Sequence, residues 1–87
     1  MVQEGDFVAI FNSVHRVMKA EKLLKGEKLP MLLIPAPRVL SSDCGLALRY
    51  AAVDRERIEA LLAAAAVAPE EIYRKTESGF CCVAQES

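Results

Sequence analysis

The sequence predicts an α+β protein, a split βαβ plait of the ferredoxin-like type, formed as a single domain by residues 1–87. Three observations lead to this fold class. The chain has 87 residues, enough for one hydrophobic core and too few for two. Its composition, 53% hydrophobic and 26% charged, is typical of a compact folded chain. Strand-like and helix-like segments follow one another in the order βαββαβ, which predicts a four-stranded antiparallel sheet with two helices on one face.

The period of the apolar residues defines each element, with alternation or a short apolar run for strands and three-to-four spacing for helices. The last turn, Glu77 to Gly79, leads into a short fifth strand at the C-terminus. The expected strands are Phe7 to Phe11, a buried strand at Met31 to Ile34, a half-buried strand at Leu46 to Ala51, Glu71 to Lys75, and Phe80 to Ala84. The expected helices are Val14 to Lys25 and Arg55 to about Val67.

Capping residues mark the ends of both helices. Asn12 or Ser13 precedes the first helix, and side-chain oxygens of these types accept hydrogen bonds from the first turn. Gly26 is expected as its C-cap, because glycine adopts the left-handed conformation that often ends a helix. We expect Asp54 to cap the second helix and Pro69 to stop it.

Charge and hydropathy exclude several classes of protein. The formal net charge is −1, so no basic excess points to nucleic acid. No run of about 18 apolar residues exists, which argues against a membrane span, and the acidic start of the chain argues against a signal peptide. Three cysteines, an odd number, suit a reducing compartment better than a disulfide framework. We therefore expect a cytoplasmic protein.

The segment LIPAPRVLSSDCGLAL, residues 33–48, surrounds one thiol with conformationally restricted residues. Cys44 stands directly before Gly45, whose backbone can adopt left-handed conformations and leave its N–H accessible. Proline fixes the backbone upstream and removes N–H donors. Such a loop can hold a thiolate, or an anion carried on it, against backbone N–H groups. Upstream of Cys44 stand the residues of a predicted turn, Pro35, Pro37 and Arg38, and the small polar residues Ser41 and Ser42.

The predicted topology brings this loop to the start of the first helix. In a split βαβ plait the loop between strands two and three lies at the same end of the sheet as the strand-one to helix-one junction. Cys44 is therefore expected beside Asn12 and Ser13, where the helix N-terminus favours anions and lowers a thiol pKa. Arg38 would act in the same direction, whereas the charge of Asp43 would oppose it.

These residues also resemble a known family. The motifs F-x-x-I-F-N-S at 7–13, K-A-E-K-L-L-K at 19–25 and P-x-P-R-x-x-S-S-x-C-G at 35–45 are similar to those of the selenium/sulfur carrier-like family, small bacterial proteins with a domain of unknown function. The resemblance implies a carrier role for Cys44, with a sulfur or selenium donor or acceptor protein as partner. The Cys-Pro-x-Pro start of the better-known sulfur-relay carriers is not found in this sequence.

Several of these residues also have purely structural interpretations. Cys44 can be a small buried apolar residue that starts a strand, and Arg38 a turn residue with a solvated head. Of the vicinal pair Cys81 and Cys82, one is expected to be buried and the other exposed, because adjacent strand residues face opposite ways. A resolving role for either toward Cys44 is disfavoured, since strand five need not approach the loop. We expect no metal site and no cofactor, because three cysteines and one His lack metal-ligand spacing.

Three functions are compatible with the sequence. The first is a sulfur or selenium carrier in which Cys44 holds the atom and Arg38 with backbone N–H groups stabilises the charge. The second is a small-ligand or anion-binding regulatory module in which the same loop binds a metabolite and the cysteine is structural. The third is an interaction module, since open sheet edges and an alanine-rich second helix suit homodimerisation. An enzyme is the least favoured class, because no complete catalytic set is present.

Overall fold

The structure is a computed structural model that describes residues 3–37, 39–40 and 45–83. Within these ranges it contains two α-helices, one short 3-10 turn and one sheet. The strands are β1 (Phe7–Ile10), β2 (Leu32–Pro35), β3 (Leu46–Tyr50), β4 (Glu71–Thr76) and β5 (Gly79–Cys82). The helices are α1 (Val14–Gly26) and α2 (Arg55–Ala64).

The sheet has five antiparallel strands in the order β2-β3-β1-β4-β5. Its first four positions have the order of a split βαβ plait, so the predicted fold class is confirmed. The C-terminal strand extends the same sheet beside β4, which makes five strands where the plait has four. Strand β1 lies at the centre, with Ile10 opposite Ala47 of β3 and opposite Glu71 of β4.

Both helices pack on one face of the sheet, as the sequence predicts. Alternate residues of β1 and β3 point to this face, and α1 and α2 each contribute an apolar stripe. Phe7 and Tyr50 stack with ring centroids 6.0 Å apart. The main buried members of this core are Phe7, Ala9, Phe11, Val17, Ala20, Leu24, Leu48, Tyr50, Ile58, Leu62 and Ile72.

The opposite, helix-free face of the sheet has its own apolar cluster. Val8 and Ile10 of β1 are fully buried there, and Ile34 and Ala47 flank them on the neighbouring strands. Leu40, from the loop between β2 and β3, closes the cluster and is itself buried. This loop is therefore anchored to the helix-free face of the sheet by an apolar side chain.

The helices end at other residues than expected: α1 ends one residue later, at Gly26, and α2 three residues earlier, at Ala64. After α1 the left-handed position is taken by Lys28, at φ 59°, and the N–H of Leu29 donates to the carbonyl of Leu24 at 3.0 Å. After α2 it is taken by Ala66, at φ 62°, and the N–H of Val67 donates to the carbonyl of Leu62 at 3.0 Å. Each pattern is a Schellman motif closed by a buried apolar residue.

The predicted C-cap of α1 and the predicted stop of α2 are therefore wrong. Gly26 is the last residue of α1, and the C-cap is Glu27. The second helix ends at Ala64, before the expected Val67, so Pro69 is not what stops it. Burial of the apolar residue after each left-handed position decided where each helix ends, and that is a tertiary effect absent from the local pattern.

Both helices start where the sequence predicts, α2 at Arg55 with Asp54 in the N-cap position, but only α1 has the expected side-chain capping bond. Ser13 caps α1, its hydroxyl oxygen accepting from the N–H of Arg16 at 3.2 Å. Asp54 makes no side-chain capping bond, because it ends a 3-10 turn over Ala52–Asp54 that leads directly into α2. The backbone is already helical before α2 begins, so the helix starts without a side-chain cap.

The strand bounds shift by one or two residues. Strands β1 and β3 end one residue earlier than expected, β2 runs one residue later, and β4 gains Thr76. Strand β2 lies at the sheet edge with only Ile34 buried, so the expected buried strand is an edge strand. Strand β3 is buried on both faces, because Leu40 and the other residues of the helix-free cluster pack on that side. Strand β5 begins at Gly79, and its expected end, Ala84, lies outside the described residues.

A hydrogen bond on the helix-free face perturbs one tyrosine. The hydroxyl of Tyr73 donates to Glu71 Oε1 at 2.8 Å, two residues away on the same strand face. This bond to the carboxylate raises the pKa of Tyr73 to about 12, with burial as a second cause. The phenol therefore stays protonated in the folded chain at pH values where an unfolded tyrosine ionises.

Replacing Ala66 by glycine should stabilise the protein, because alanine carries a left-handed backbone that costs about 1–2 kcal/mol and glycine does not. The added flexibility of the unfolded chain offsets part of this gain. We expect the free energy of unfolding in urea to rise for Ala66→Gly. Ala60→Gly, inside α2, is the matched control and should lower it by about 1 kcal/mol. Equal losses in both variants would contradict the Schellman assignment.

Glu71→Gln should bring the pKa of Tyr73 down from about 12 toward the ordinary value near 10. The tyrosine ring carbons can be followed by NMR against pH, with circular dichroism verifying the fold. Because the folded pKa lies above the unfolded one, the bond's stabilisation is complete below about pH 10 and falls as the pH rises toward 12. An unchanged titration in the variant would show that the bond is not formed in solution.

Candidate functional site

The loop between β2 and β3 leaves the sheet through a short continuation of the strand ladder. Beyond the last pair, Pro35 opposite Leu46, the N–H of Ala36 donates to the carbonyl of Gly45 at 2.9 Å. Gly45 has φ 73°, in the left-handed region that its sequence position suggested. Pro35, expected in the turn, is the last residue of β2. The loop proper therefore spans residues 37–44, between two backbone points fixed to the sheet.

One described side chain anchors the loop. The N–H of Leu40 donates to the carbonyl of Pro37 at 2.9 Å, which closes a tight turn. Leu40 is 7% exposed and packs on the helix-free face, whereas its neighbour Val39 is 75% exposed. Of these two described residues, Leu40 is therefore the one that attaches the loop to the sheet.

The N-terminus of α1 lies at the same end of the sheet. The last β1–β3 pair is Ile10 opposite Ala47, and two residues further along each chain stand Asn12 and Gly45. Asn12 is exposed, and Ser13 caps the helix. The first turn of α1 contains no acidic residue and includes Arg16, so positive charge is added to the positive end of the helix dipole.

Of the site residues predicted from the sequence, Asn12, Ser13 and Gly45 fall within the described residues, and the structure brings their segments to one end of the sheet. Arg38, Ser41, Ser42 and Cys44 lie outside the described residues, as does Asp43. Their roles stay predictions. The fixed points around them are Pro37, Leu40 and Gly45, described above.

The two cysteines of β5 differ from their prediction. Both Cys81 and Cys82 are exposed, although one was expected to be buried. They do face opposite ways, but β5 is the outermost strand, where neither face is covered. The alternation of faces along a strand predicts the direction of each side chain. Whether that side chain is buried depends on what packs against the face.

The β5 cysteines also lie far from Gly45, the residue that follows Cys44. Cys82 pairs with Tyr73 of β4, which pairs with Val8 of β1, which pairs with Arg49 of β3. Cys82 therefore lies at the same height in the sheet as Arg49, four residues along β3 from Gly45. Cys82 and Gly45 are thus separated by three strand spacings, about 14 Å across the sheet, and by four residues, about 13 Å along the strands. Disulfide-bonded cysteines have Cα atoms about 4.4–6.8 Å apart. The geometry therefore argues against a resolving role for either cysteine within one chain.

A polar cluster that sequence reasoning missed lies at the other end of the sheet. Tyr50 donates its hydroxyl to Glu59 Oε2 at 2.8 Å, and Arg55 Nε is 3.0 Å from the same oxygen. The Arg55 guanidinium also lies over the ring of Phe7, 4.5 Å from its centroid. Burial raises the pKa of Tyr50, and the charge and hydrogen bond of Glu59 raise it further. These groups satisfy one another, which indicates a structural role.

A depression of about 480 Å³ adjoins this cluster and is lined by Ala52, Val53, Arg55, Glu56 and Glu59. It is open to solvent and lies at the opposite end of the sheet from Gly45, so it does not belong to the cysteine loop. Its two glutamates and one arginine give it no anion-binding character. Within residues 3–37, 39–40 and 45–83, no group of three or more potential ligands is placed to hold a metal ion. No helix in the same ranges is long and apolar enough to span a membrane.

The fold and the loop define a small ferredoxin-like protein with a cysteine-bearing connection between its second and third strands. The chain belongs to the family described as "Putative Se/S carrier protein-like", whose family model matches residues 6–74. The match includes Cys44 and all elements from β1 to most of β4, and it ends before β5 with its two cysteines. Comparison with curated proteins and with solved structures gave no match.

Gly45→Ala should destabilise the protein by about 1–2 kcal/mol, the cost of a left-handed backbone in a residue with a Cβ atom. No atom lies within 4 Å of the position that a Cβ would occupy, so the cost is conformational and not a clash. Gly26→Ala is the matched control: its site is equally open but helical, and the change should stabilise the protein by about 0.5–1 kcal/mol. Urea unfolding measures both. Equal effects would contradict a left-handed Gly45.

Proposed function

We propose that this protein carries sulfur or selenium on the thiol of Cys44. The family match over residues 6–74 supports this function, and it includes the cysteine loop. One observation carries the proposal: the segment after Cys44 and the start of α1 lie at the same end of the sheet. Gly45 is hydrogen-bonded to the chain that leaves β2, and the end of β1 pairs with the start of β3. A helix terminus favours anions, so its position at the same end of the sheet as Gly45 supports a charged thiol at Cys44.

The charges near this end favour a thiolate over a thiol. The dipole at the N-terminus of α1 and the charge of Arg16 add positive potential, and none of the first-turn residues is acidic. Arg38 has the position in sequence to pair with a charged sulfur or selenium atom, and the hydroxyls of Ser41 and Ser42 can donate hydrogen bonds to it. A cysteine in such surroundings has a lowered pKa and a larger nucleophilic fraction at neutral pH.

Loading is a simple exchange at the carried atom. With a polysulfide donor, the Cys44 thiolate attacks a sulfane sulfur, an S–S bond of the donor breaks, and its electron pair leaves with the shortened donor. With selenodiglutathione, the thiolate attacks selenium and displaces one glutathione thiolate, which leaves a mixed selenyl sulfide on the protein. Neither step needs an added oxidant, because each forms one bond to the carried atom and breaks one.

The carrier hypothesis implies a donor protein, an acceptor protein and a reducing compartment. A donor protein must load the thiol and an acceptor must unload it, so Cys44 has to be reached from outside by other proteins. Free thiols such as glutathione readily remove the carried atom from a persulfide or selenyl sulfide, so a docked acceptor has to take it up faster than they do. We place this exchange in the cytoplasm, in agreement with the odd number of cysteines.

The test is mass spectrometry of the reduced protein after brief exposure to polysulfide, or to selenite with glutathione, which together generate selenodiglutathione. We expect one sulfur or selenium adduct on the peptide that contains Cys44. In protein dilute enough to be monomeric, Cys81 and Cys82 are built-in controls, because both are exposed in the single chain and lie away from the helix terminus. Cys44→Ser should abolish the adduct, and Arg38→Ala should slow its formation while leaving the fold intact by circular dichroism.

The alternative, a small-ligand or anion-binding module with a structural cysteine, predicts a different outcome. Cys44 would then react no faster than Cys81 or Cys82, and Cys44→Ser would leave anion binding unchanged. Loss of binding in Arg38→Ala together with an unreactive Cys44 would replace the carrier proposal by the binding module.

A further inference from the structure

The two edges of the sheet are unequal. Strand β2 ends at Pro35. The backbone of Ala36 is directed inward, to Gly45, and successive residues of an antiparallel strand alternate, so the backbone groups of Pro35 are directed outward. Its outer edge therefore lacks a donor there, which is a common protection of edge strands. Strand β5 has neither proline nor a charged residue between Gly79 and Val83, and two of its exposed side chains are cysteines. It is the unprotected edge of the part of the sheet that the structure describes.

The hydrogen-bond pattern identifies which groups of β5 are directed outward. The N–H of Val83 donates to the carbonyl of Ile72 at 2.8 Å, so Val83 faces β4. Antiparallel ladders alternate, which makes Cys81 and Gly79 inward-facing as well. The N–H and C=O groups of Phe80 and Cys82 consequently point away from β4, toward the open edge.

We infer that this edge pairs with the β5 edge of a second copy of the chain across a two-fold axis at Cys81. This register places Cys81 opposite its symmetry mate and Phe80 opposite Cys82 of the other copy. It uses every described residue of the segment 79–83 and joins both outward-facing residues of each copy in hydrogen-bonded pairs. The two sheets become one continuous sheet, in an isologous contact of the kind that most homodimers use.

The register is also compatible with the side chains. Phe80 and Cys82 lie on the helix-free face, so each copy contributes one aromatic ring and one thiol to the seam. No like charges meet within 79–83, since the segment contains none. Cys81 stands at a non-hydrogen-bonded pair, where opposing Cα atoms are about 4.5 Å apart. That separation is within the range that a disulfide spans, about 4.4–6.8 Å.

Cys81 therefore serves as a reporter of the register. Diamide, a thiol oxidant, takes two electrons and two protons from a pair of cysteines and is reduced to its hydrazine while the disulfide forms. We expect a covalent dimer linked through Cys81 of both chains, identified by peptide mass. The dimer should persist in Cys82→Ser and Cys44→Ser and be lost in Cys81→Ser. In urea the preference for Cys81 should disappear.

The non-covalent contact is tested under reducing conditions, where no disulfide contributes. Edge pairing of one short strand is a small interface, so we expect a concentration-dependent monomer–dimer equilibrium in sedimentation. Cys82→Pro removes an outward N–H and leaves the β4 ladder intact, so it should shift the equilibrium to monomer. Val53→Lys, at another highly exposed apolar position, is the control and should leave the equilibrium unchanged.

Two results would overturn the inference. A reduced protein that stays monomeric at all accessible concentrations excludes the β5 edge contact. A dimer that persists in Cys82→Pro, or whose diamide disulfide joins Cys82 or Cys44 in place of Cys81, forms through another surface or register. Neither result bears on the carrier proposal, because Cys44 loading is measured separately on monomeric protein.

Discussion

The antiparallel pairing of β1 with β3 is the constraint on which the rest of the structure depends. It fixes Ile10 opposite Ala47, so the chain leaving β1 and the chain entering β3 meet at one end of the sheet. Helix α1 begins where the chain leaves β1, and the loop that carries Cys44 ends where the chain enters β3. A shift of this register by one residue would exchange the two faces of β1, so that its residues would pack in the wrong one of the two apolar clusters.

Two apolar clusters hold this pairing in place, one on each face of the sheet. The helix-side core fixes the layers, and the smaller cluster on the opposite face fixes the loop through Leu40. The functional proposal depends on the second cluster more than on the first, because a loop tethered only at its ends would lose more entropy on binding a partner. The Tyr50–Glu59–Arg55 network stabilises the far end of the sheet, remote from the loop.

Much of the fold was predictable because the apolar periodicity is local. The order of elements, the Ser13 cap and the left-handed Gly45 follow from residue types and their spacing. Helix ends were not predictable in the same way, since burial of Leu29 and Val67 moved the left-handed position onto Lys28 and Ala66. The exposure of both β5 cysteines depends on strand order, which no local pattern encodes. For the site, the sequence identified the loop, and the structure fixes its flanks.

The pKa of Cys44 tests the central claim most directly. The rate of its alkylation by iodoacetamide can be followed against pH by peptide mass, with Cys81 and Cys82 read in the same sample. The account predicts a Cys44 pKa well below the ordinary value of about 8.5, and a rise of that pKa in Arg38→Ala. A Cys44 that titrates at or above 8.5, no more reactive than the β5 cysteines, would contradict an activated carrier thiol.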